Sequence, residues 1–259
     1  MRTTKPYLLS FDNCSNFKEL WESLHYQLKP YKIKSIFYGL TYSKRSVEEI
    51  GILKSIVYKT SHPKEYKTTL FEALFPKKTE EEHPHLKLLL DEDMTAKHIF
   101  WSDKPYFLWT DPAEWETASE MEKMVDQKLI DMQLVTGITL PLRNCKFLAG
   151  VGLSTGNLSP KLFEQIWHES SEHIITLANE FNKLVQDQHL RGMINLTSHQ
   201  QQVFQDYFYH NDLDALANKY NCSKRNLLDI LQKVRLKLNA QNYKQAAVKA
   251  YALGVLDLD

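Results

Sequence analysis

The apolar pattern of this chain changes character once, near residue 190, and that change constrains the fold more than any other feature. Before it, aromatic and β-branched runs alternate with stretches of helical period; after it, only helical period remains. A chain of 259 residues has room for two ordinary domains. A mixed segment followed by an all-helical one therefore reads as an α+β domain and a smaller all-α module.

In the first part, Phe17, Leu20, Trp21, Leu24 and Leu28 recur at helical spacing, and Pro30 ends that pattern. Residues 35–42 read as a strand, and 52–58 as its antiparallel partner across the polar stretch 43–49. A short helix is expected after His62-Pro63, then a charged loop at 76–82. Pro112 suits the first turn of a helix carrying Met121, Met124, Val125, Leu129 and Met132. Two further strands are expected at 137–142 and 150–153. Ser159-Pro160 makes an N-cap and first-turn pair for a helix bearing Phe163, Ile166, Trp167, Ile174, Leu177, Phe181 and Leu184. The polar segment that follows sets the expected boundaries: a domain over 1–185, a linker over 186–195 and a module over 196–259.

Four helices with short connections fit that module. Residues 198–209 carry Val203, Phe204, Tyr207 and Phe208; Asp212 caps a second helix with Leu213, Leu216 and Ala217. Asn221-Cys222-Ser223 forms a turn, and Ser223 caps a third helix to about Leu238, with Leu227, Leu231, Val234 and Leu238 as its buried seam. The opposite face carries Lys224, Arg225, Asp229, Gln232 and Lys233. A short helix, a tight turn and a longer basic helix is the geometry that lays a recognition helix in a major groove. Amphipathic helices of this kind also occur in proteins that never touch DNA.

Leu196-Thr197, Val203-Phe204, Leu216-Ala217, Ser223-Lys224-Arg225-Asn226-Leu227 and Arg235-Leu236-Lys237-Leu238-Asn239 follow one another without a gap. In that order they resemble the helix-turn-helix of LuxR-type transcription regulators. The terminal run from Gln245 to Val255 resembles that family's closing helix, which often supports dimerisation. The resemblance implies duplex DNA as a partner, a homodimer, phosphate contacts from Lys224, Arg225, Lys233, Arg235 and Lys237, and base reading by Asn226. The chain departs from the pattern at Gln200, where the family has an acid, and at His210 or Asn211, where it has a glycine. It departs again at Leu228 and Ile230, where it has a lysine and a histidine, while Asp229 adds a negative charge.

Upstream, Phe37-Tyr38-Gly39-Leu40, His62-Pro63-Lys64-Glu65-Tyr66, His83-Pro84, Phe100-Trp101-Ser102 and Gly137-Ile138-Thr139-Leu140-Pro141 are similar to the autoinducer-binding domain that accompanies this helix-turn-helix. That resemblance implies an α-β-α sandwich, with a five-stranded antiparallel sheet and a small-molecule cavity between sheet and helices. The family's lactone-binding tryptophan falls on Tyr66, its tyrosine one turn later on Leu70 and its aspartate on His83, whereas Trp101 and Gly137 match. The expected ligand-binding set is Tyr38, His62, Tyr66, Leu70, His83, Trp101, Gly137 and Ser154. Because the polar positions differ, the expected ligand is a small amphipathic signal other than an acyl-homoserine lactone. The same aromatics also fit a packed core, and Trp101, Trp109 and Trp115 also fit anchors of a long connection.

Charge narrows the choice little. Lys and Arg balance Asp and Glu over the whole chain, while nine Lys/Arg stand against six Asp from Arg191 onward. Cys14, Cys145 and Cys222 are odd in number and far apart, which speaks for a reducing, cytoplasmic setting and against structural zinc. Glu80-Glu81-Glu82-His83-Pro84-His85 reads as a solvated charge run rather than a metal site. No apolar run reaches the length that spans a bilayer, and no phosphate loop, HExxH or GxSxG occurs. No cofactor, metal, membrane or enzymatic activity is therefore expected. The expected function is that of a ligand-responsive, quorum-sensing type of transcription regulator, a solo member of its kind. The alternative is a protein-interaction modulator that pairs with another regulator and binds DNA weakly or not at all.

Overall fold

The structure is a computed structural model, and it describes residues 10–41, 55–74, 92–143 and 146–256. The chain divides into two compact units, 1–189 and 190–259.

The first unit is built on five antiparallel strands in the order β2-β1-β5-β4-β3, with β1 at Ser35–Thr41, β2 at Val57–Thr60, β3 at Phe107–Leu108, β4 at Thr136–Leu142 and β5 at Leu148–Gly156. The α+β class and the antiparallel sheet implied by the resemblance are what is found. β2 is shorter and later than the expected 52–58, and residues 52–54 lie outside the described residues. β3 was not expected; two residues carry no readable alternation.

One face of the sheet is covered by α1 (Phe17–Leu28) and the long α6 (Pro160–Leu184), whose first turn is capped by Ser159. Ile36, Tyr38 and Leu40 point to this side and are fully buried. Tyr38 donates its hydroxyl to Asn182 Oδ1 at 2.7 Å and meets Phe181 edge-on. The opposite face carries α2 (Lys64–Leu74), α3 (Met94–Trp101), α4 (Pro112–Glu116) and α5 (Glu120–Asp131). The single helix expected from Pro112 onward is thus two helices. Ser119 is extended and opens α5 with a capping box, its hydroxyl accepting from Glu122 N while the Glu122 carboxylate accepts from Ser119 N.

That second face is paved with glycine. The register sets Phe37 opposite Gly152, Gly39 opposite Gly150 and Gly137 opposite Ser154, so all four glycines share the face of Phe37. The helices come down onto bare backbone there. A Cβ on Gly150 would lie 2.3 Å from Ile99 Cδ1, and one on Gly137 would lie 2.5 Å from the Leu153 carbonyl and 2.7 Å from the Trp109 ring. Gly137→Ala should destabilise the first unit by about 1–3 kcal/mol, read as a lowered urea midpoint, because backbone cannot yield to the methyl. An unchanged midpoint would show that the strand relaxes freely.

The second unit is all helical: α7 (Leu190–Ile194), α8 (Ser198–His210), α9 (Leu213–Lys219), α10 (Lys224–Lys237) and α11 (Tyr243–Ala252). The residues expected as a linker are helical for most of their length, with a π-turn at Val185–His189 and then α7. Thr197 caps α8 and forms a capping box with Gln200. Asp212 caps α9, accepting from the backbone N–H of Asp214 and Ala215, and Ser223 caps α10. Asn211, one of the two positions at which the resemblance places a glycine, takes φ 47°, a left-handed conformation asparagine tolerates. Leu227, Leu231 and Val234 of α10 are buried, and α11 packs through Ala246, Ala247 and Ala250.

Candidate functional site

A cleft of about 720 Å³, open solvent at its mouth included, lies in the first unit between the glycine-paved sheet face and helices α2, α3 and α5. Phe37, Gly39, Thr139 and Gly152 contribute the sheet side. Ile56, His62, Tyr66, Leu70, Ala96, Ile99, Phe100, Trp109, Leu129 and Leu134 supply most of the remaining, largely apolar wall, with Asp93 and Thr95 as its polar end. Space is left here because Gly39 and Gly152 carry no side chain. An ideal Cβ at Gly152 meets only ordinary contacts, 3.4 Å from the Trp109 ring and 3.8 Å from Phe37 Cβ.

Three of the expected ligand residues, His62, Tyr66 and Leu70, converge on this cleft. His62 and Tyr66 meet edge-on at 5.0 Å between ring centroids. The others are placed differently. Tyr38 points through the sheet to α6, because one residue along a strand is one face over. Trp101 ends α3 and is 45% exposed. Gly137 lies beneath Trp109, and Ser154 Oγ accepts from Gly156 N at 3.0 Å within the sheet. His83 lies outside the described residues.

Most of the wall lies outside the expected ligand set, Trp109 and Asp93 included. Trp109 immediately follows β3, its indole N–H donating to Thr139 Oγ1 at 2.8 Å and its carbonyl accepting from Trp115 Nε1 at 2.7 Å. Asp93 caps α3, taking Thr95 N at 2.8 Å and Thr95 Oγ1 at 2.7 Å on one oxygen. The available signal was an aspartate just ahead of an apolar helical stretch.

Among the described residues the cleft wall is apolar with one acid, Asp93. Burial raises the Asp93 carboxyl above its ordinary range although Thr95 and Ala96 donate to it. Asp126 is pushed up to about 6, by burial first and then by the neighbouring Asp93 charge. Burial, with a smaller contribution from Lys67, drives His62 down to about 3, so its imidazole is neutral at physiological pH. The Tyr66 phenol is likewise buried and held well above its usual value. Among the described residues no group of three or more His, Cys, Asp or Glu could hold a metal ion, and no helix is long and apolar enough to cross a membrane.

In the second unit the expected DNA-contacting residues separate into two groups. Lys224, Arg225, Asn226 and Lys233 project from α10 to solvent. Lys224 pairs with Asp214 at 2.6 Å, both side chains being exposed, an arrangement that contributes little to stability. Arg235 and Lys237 turn inward. Arg235 Nη1 donates to the carbonyls of Ala240 at 3.0 Å and Gln241 at 2.9 Å, beyond the end of α10. Lys237 Nζ donates to the carbonyl of Asn195 and to Gln200 Oε1. Gln200, one of the departures, thereby joins the capping box and holds Lys237.

No family model matches the chain, and no curated protein matches it. Solved structures are similar along nearly its whole length, two of them of the same protein. One is a crystal structure of Escherichia coli SdiA, at 12% identity and a TM-score of 0.40, covering 97% of this chain and 96% of that one. The other is SdiA in complex with octanoyl-rac-glycerol, at 12% identity and a TM-score of 0.42, covering 98% and 95%.

Proposed function

We propose that the protein is a ligand-responsive transcription regulator, rather than an enzyme, acting in the cytoplasm as a homodimer. Its first unit senses a small amphipathic molecule in the glycine-floored cleft, and its second unit binds duplex DNA through α10. The observation that carries this reading is the exposed start of α10. Behind the Ser223 cap, Lys224, Arg225 and Asn226 face solvent while Leu227, Leu231 and Val234 lock the helix onto α8 and α9. That leaves cations for phosphates and an amide for a base edge on one accessible helix end. Sequence resemblance to LuxR-type regulators supports the same reading, and the departures at Leu228 and Ile230 weigh against it. In the sensing unit, the cleft's mostly apolar wall and few polar groups have the make-up of small-molecule sites.

Loss of these side chains should have distinguishable effects in equilibrium binding to promoter and random duplexes. Asn226→Ala should cost about 1–3 kcal/mol at the preferred site and little on random DNA. Lys233→Ala should weaken both alike and reduce the salt slope by about one contact. Leu228→Lys should strengthen non-specific binding, since Leu228 is 41% exposed on the recognition helix. A second reading, a silencing partner that pairs with another regulator, is favoured by that same exposed Leu228 and by the neighbouring Asp229, whose charge opposes phosphate. If neither the parent nor Leu228→Lys binds any duplex at low salt, the silencing partner replaces the regulator.

A further inference from the structure

The cations on the exposed face of α10 are not alike. Among the described residues Arg225 and Lys233 meet no acid, whereas Lys224, the first residue behind the Ser223 cap, has its Nζ 2.6 Å from Asp214 Oδ1. Asp214 stands in the first turn of α9. The cap of that helix is complete without its carboxylate, because Asp212 Oδ1 accepts from Asp214 N at 2.9 Å and from Ala215 N at 3.1 Å. Packing does not need the carboxylate either, since the Asp214 side chain is 73% exposed and that of Lys224 54%. Such a pair contributes little to folding. It does place a negative charge on the ammonium that a phosphate would have to meet. Lysine has three donors, yet a phosphate brought to them stands beside the carboxylate, and like charges a few ångströms apart repel about as strongly as the pair attracts.

We propose that Asp214 is an intramolecular competitor of DNA phosphate: it holds the Lys224 ammonium in the free protein and is displaced when α10 meets a duplex. This rests on the reading of α10 as the DNA-contacting helix and adds a brake built into the same unit. A phosphate contact carries no base information, so the brake lowers affinity for every duplex and keeps non-specific binding weak. Asp229 differs in kind. It is exposed on α10 itself and, among the described residues, pairs with no cation. Its charge opposes phosphate at a distance, whereas that of Asp214 acts through the one lysine it holds.

A double-mutant cycle on the full chain tests this, with a labelled random-sequence duplex at low salt titrated by fluorescence anisotropy. Asp214→Asn keeps the size of the side chain and removes its charge. It should tighten binding about threefold to fivefold. With Lys224→Ala already in place, the same substitution should gain less than about 1.5-fold. Asp214→Ser, also neutral and also suited to a first turn, should behave as Asp214→Asn does, and an unchanged urea midpoint checks that the helices are intact. Asp229→Asn should give the same gain whether or not Lys224 is present. Equal gains from Asp214→Asn with and without Lys224 would reduce Asp214 to one more negative charge, and no gain in the parent would mean that Lys224 is not held. Either result overturns the proposal while leaving α10 a DNA contact. Binding by Asp214→Asn where the parent binds no duplex would support it in its strongest form. Binding by neither would overturn the DNA reading, and the proposal with it.

Discussion

Trp109→Ala is expected to cost the first unit about 3–5 kcal/mol and to abolish ligand binding. The indole is nearly buried, fills the space above Gly137 and Gly152, and ties β3 to β4 through Thr139. Its removal deletes one wall of the cleft and leaves a void too large for neighbouring side chains to close. Trp109→Phe separates the contributions. It keeps most of the packing and loses the bond to Thr139, for about 1 kcal/mol. Urea unfolding followed by far-ultraviolet dichroism measures both. A loss below about 1 kcal/mol for the alanine variant would mean that the wall collapses freely and that the cleft is no fixed feature.

The second large effect belongs to Lys249. It is fully buried on α11, its Nζ donates to the Asn239 carbonyl at 2.7 Å, and burial pushes its ammonium down to about 7 from an ordinary value of 10.5. Between those two values the unfolded chain carries the proton and the folded one does not. Stability of the second unit must therefore rise with pH across that window, by about 1.4 kcal/mol per pH unit, and be lowest below about 7. Lys249→Met, similar in size and uncharged, should remove the slope. Hydrogen-exchange protection of α10 and α11 between pH 7 and 9 should rise about 2–3 kcal/mol more in the parent than in the variant. Parallel profiles would show that the buried ammonium keeps its ordinary affinity for protons.

Much of the architecture is legible in local chemistry. Ser159-Pro160, Asp212 and Ser223 begin helices where cap residues should, and the seam Leu227, Leu231, Val234 correctly divides α10 into a buried and an exposed face. Sidedness of β1 is not legible. Most of its residues are buried on both faces, so no alternation shows that Phe37 looks into the cleft while Tyr38 looks at α6. The cleft tryptophan is hidden for a related reason. Phe100-Trp101 and Leu108-Trp109 are similar short tokens eight residues apart, and only pairing of a two-residue edge strand with β4 brings the second to the wall. Asp93 reads as part of the acidic run Asp91-Glu92-Asp93 until a helix is known to start after it. Arg235 and Lys237 read as solvent-facing cations, yet Arg235 folds back on the carbonyls of Ala240 and Gln241 just past its own helix, and Lys237 reaches that of Asn195, 42 residues away in sequence.

In the proposed function, α10 meets DNA through cations on its exposed face. The dependence of duplex affinity on salt tests it most directly, because each phosphate contact releases condensed counterion whatever the base sequence. With Lys224, Arg225 and Lys233 as the contacts, log K against log salt for the full chain should fall with a slope of about −3 per bound copy. A slope near zero, or no binding to any duplex at low salt, would mean that α10 does not meet DNA through these cations.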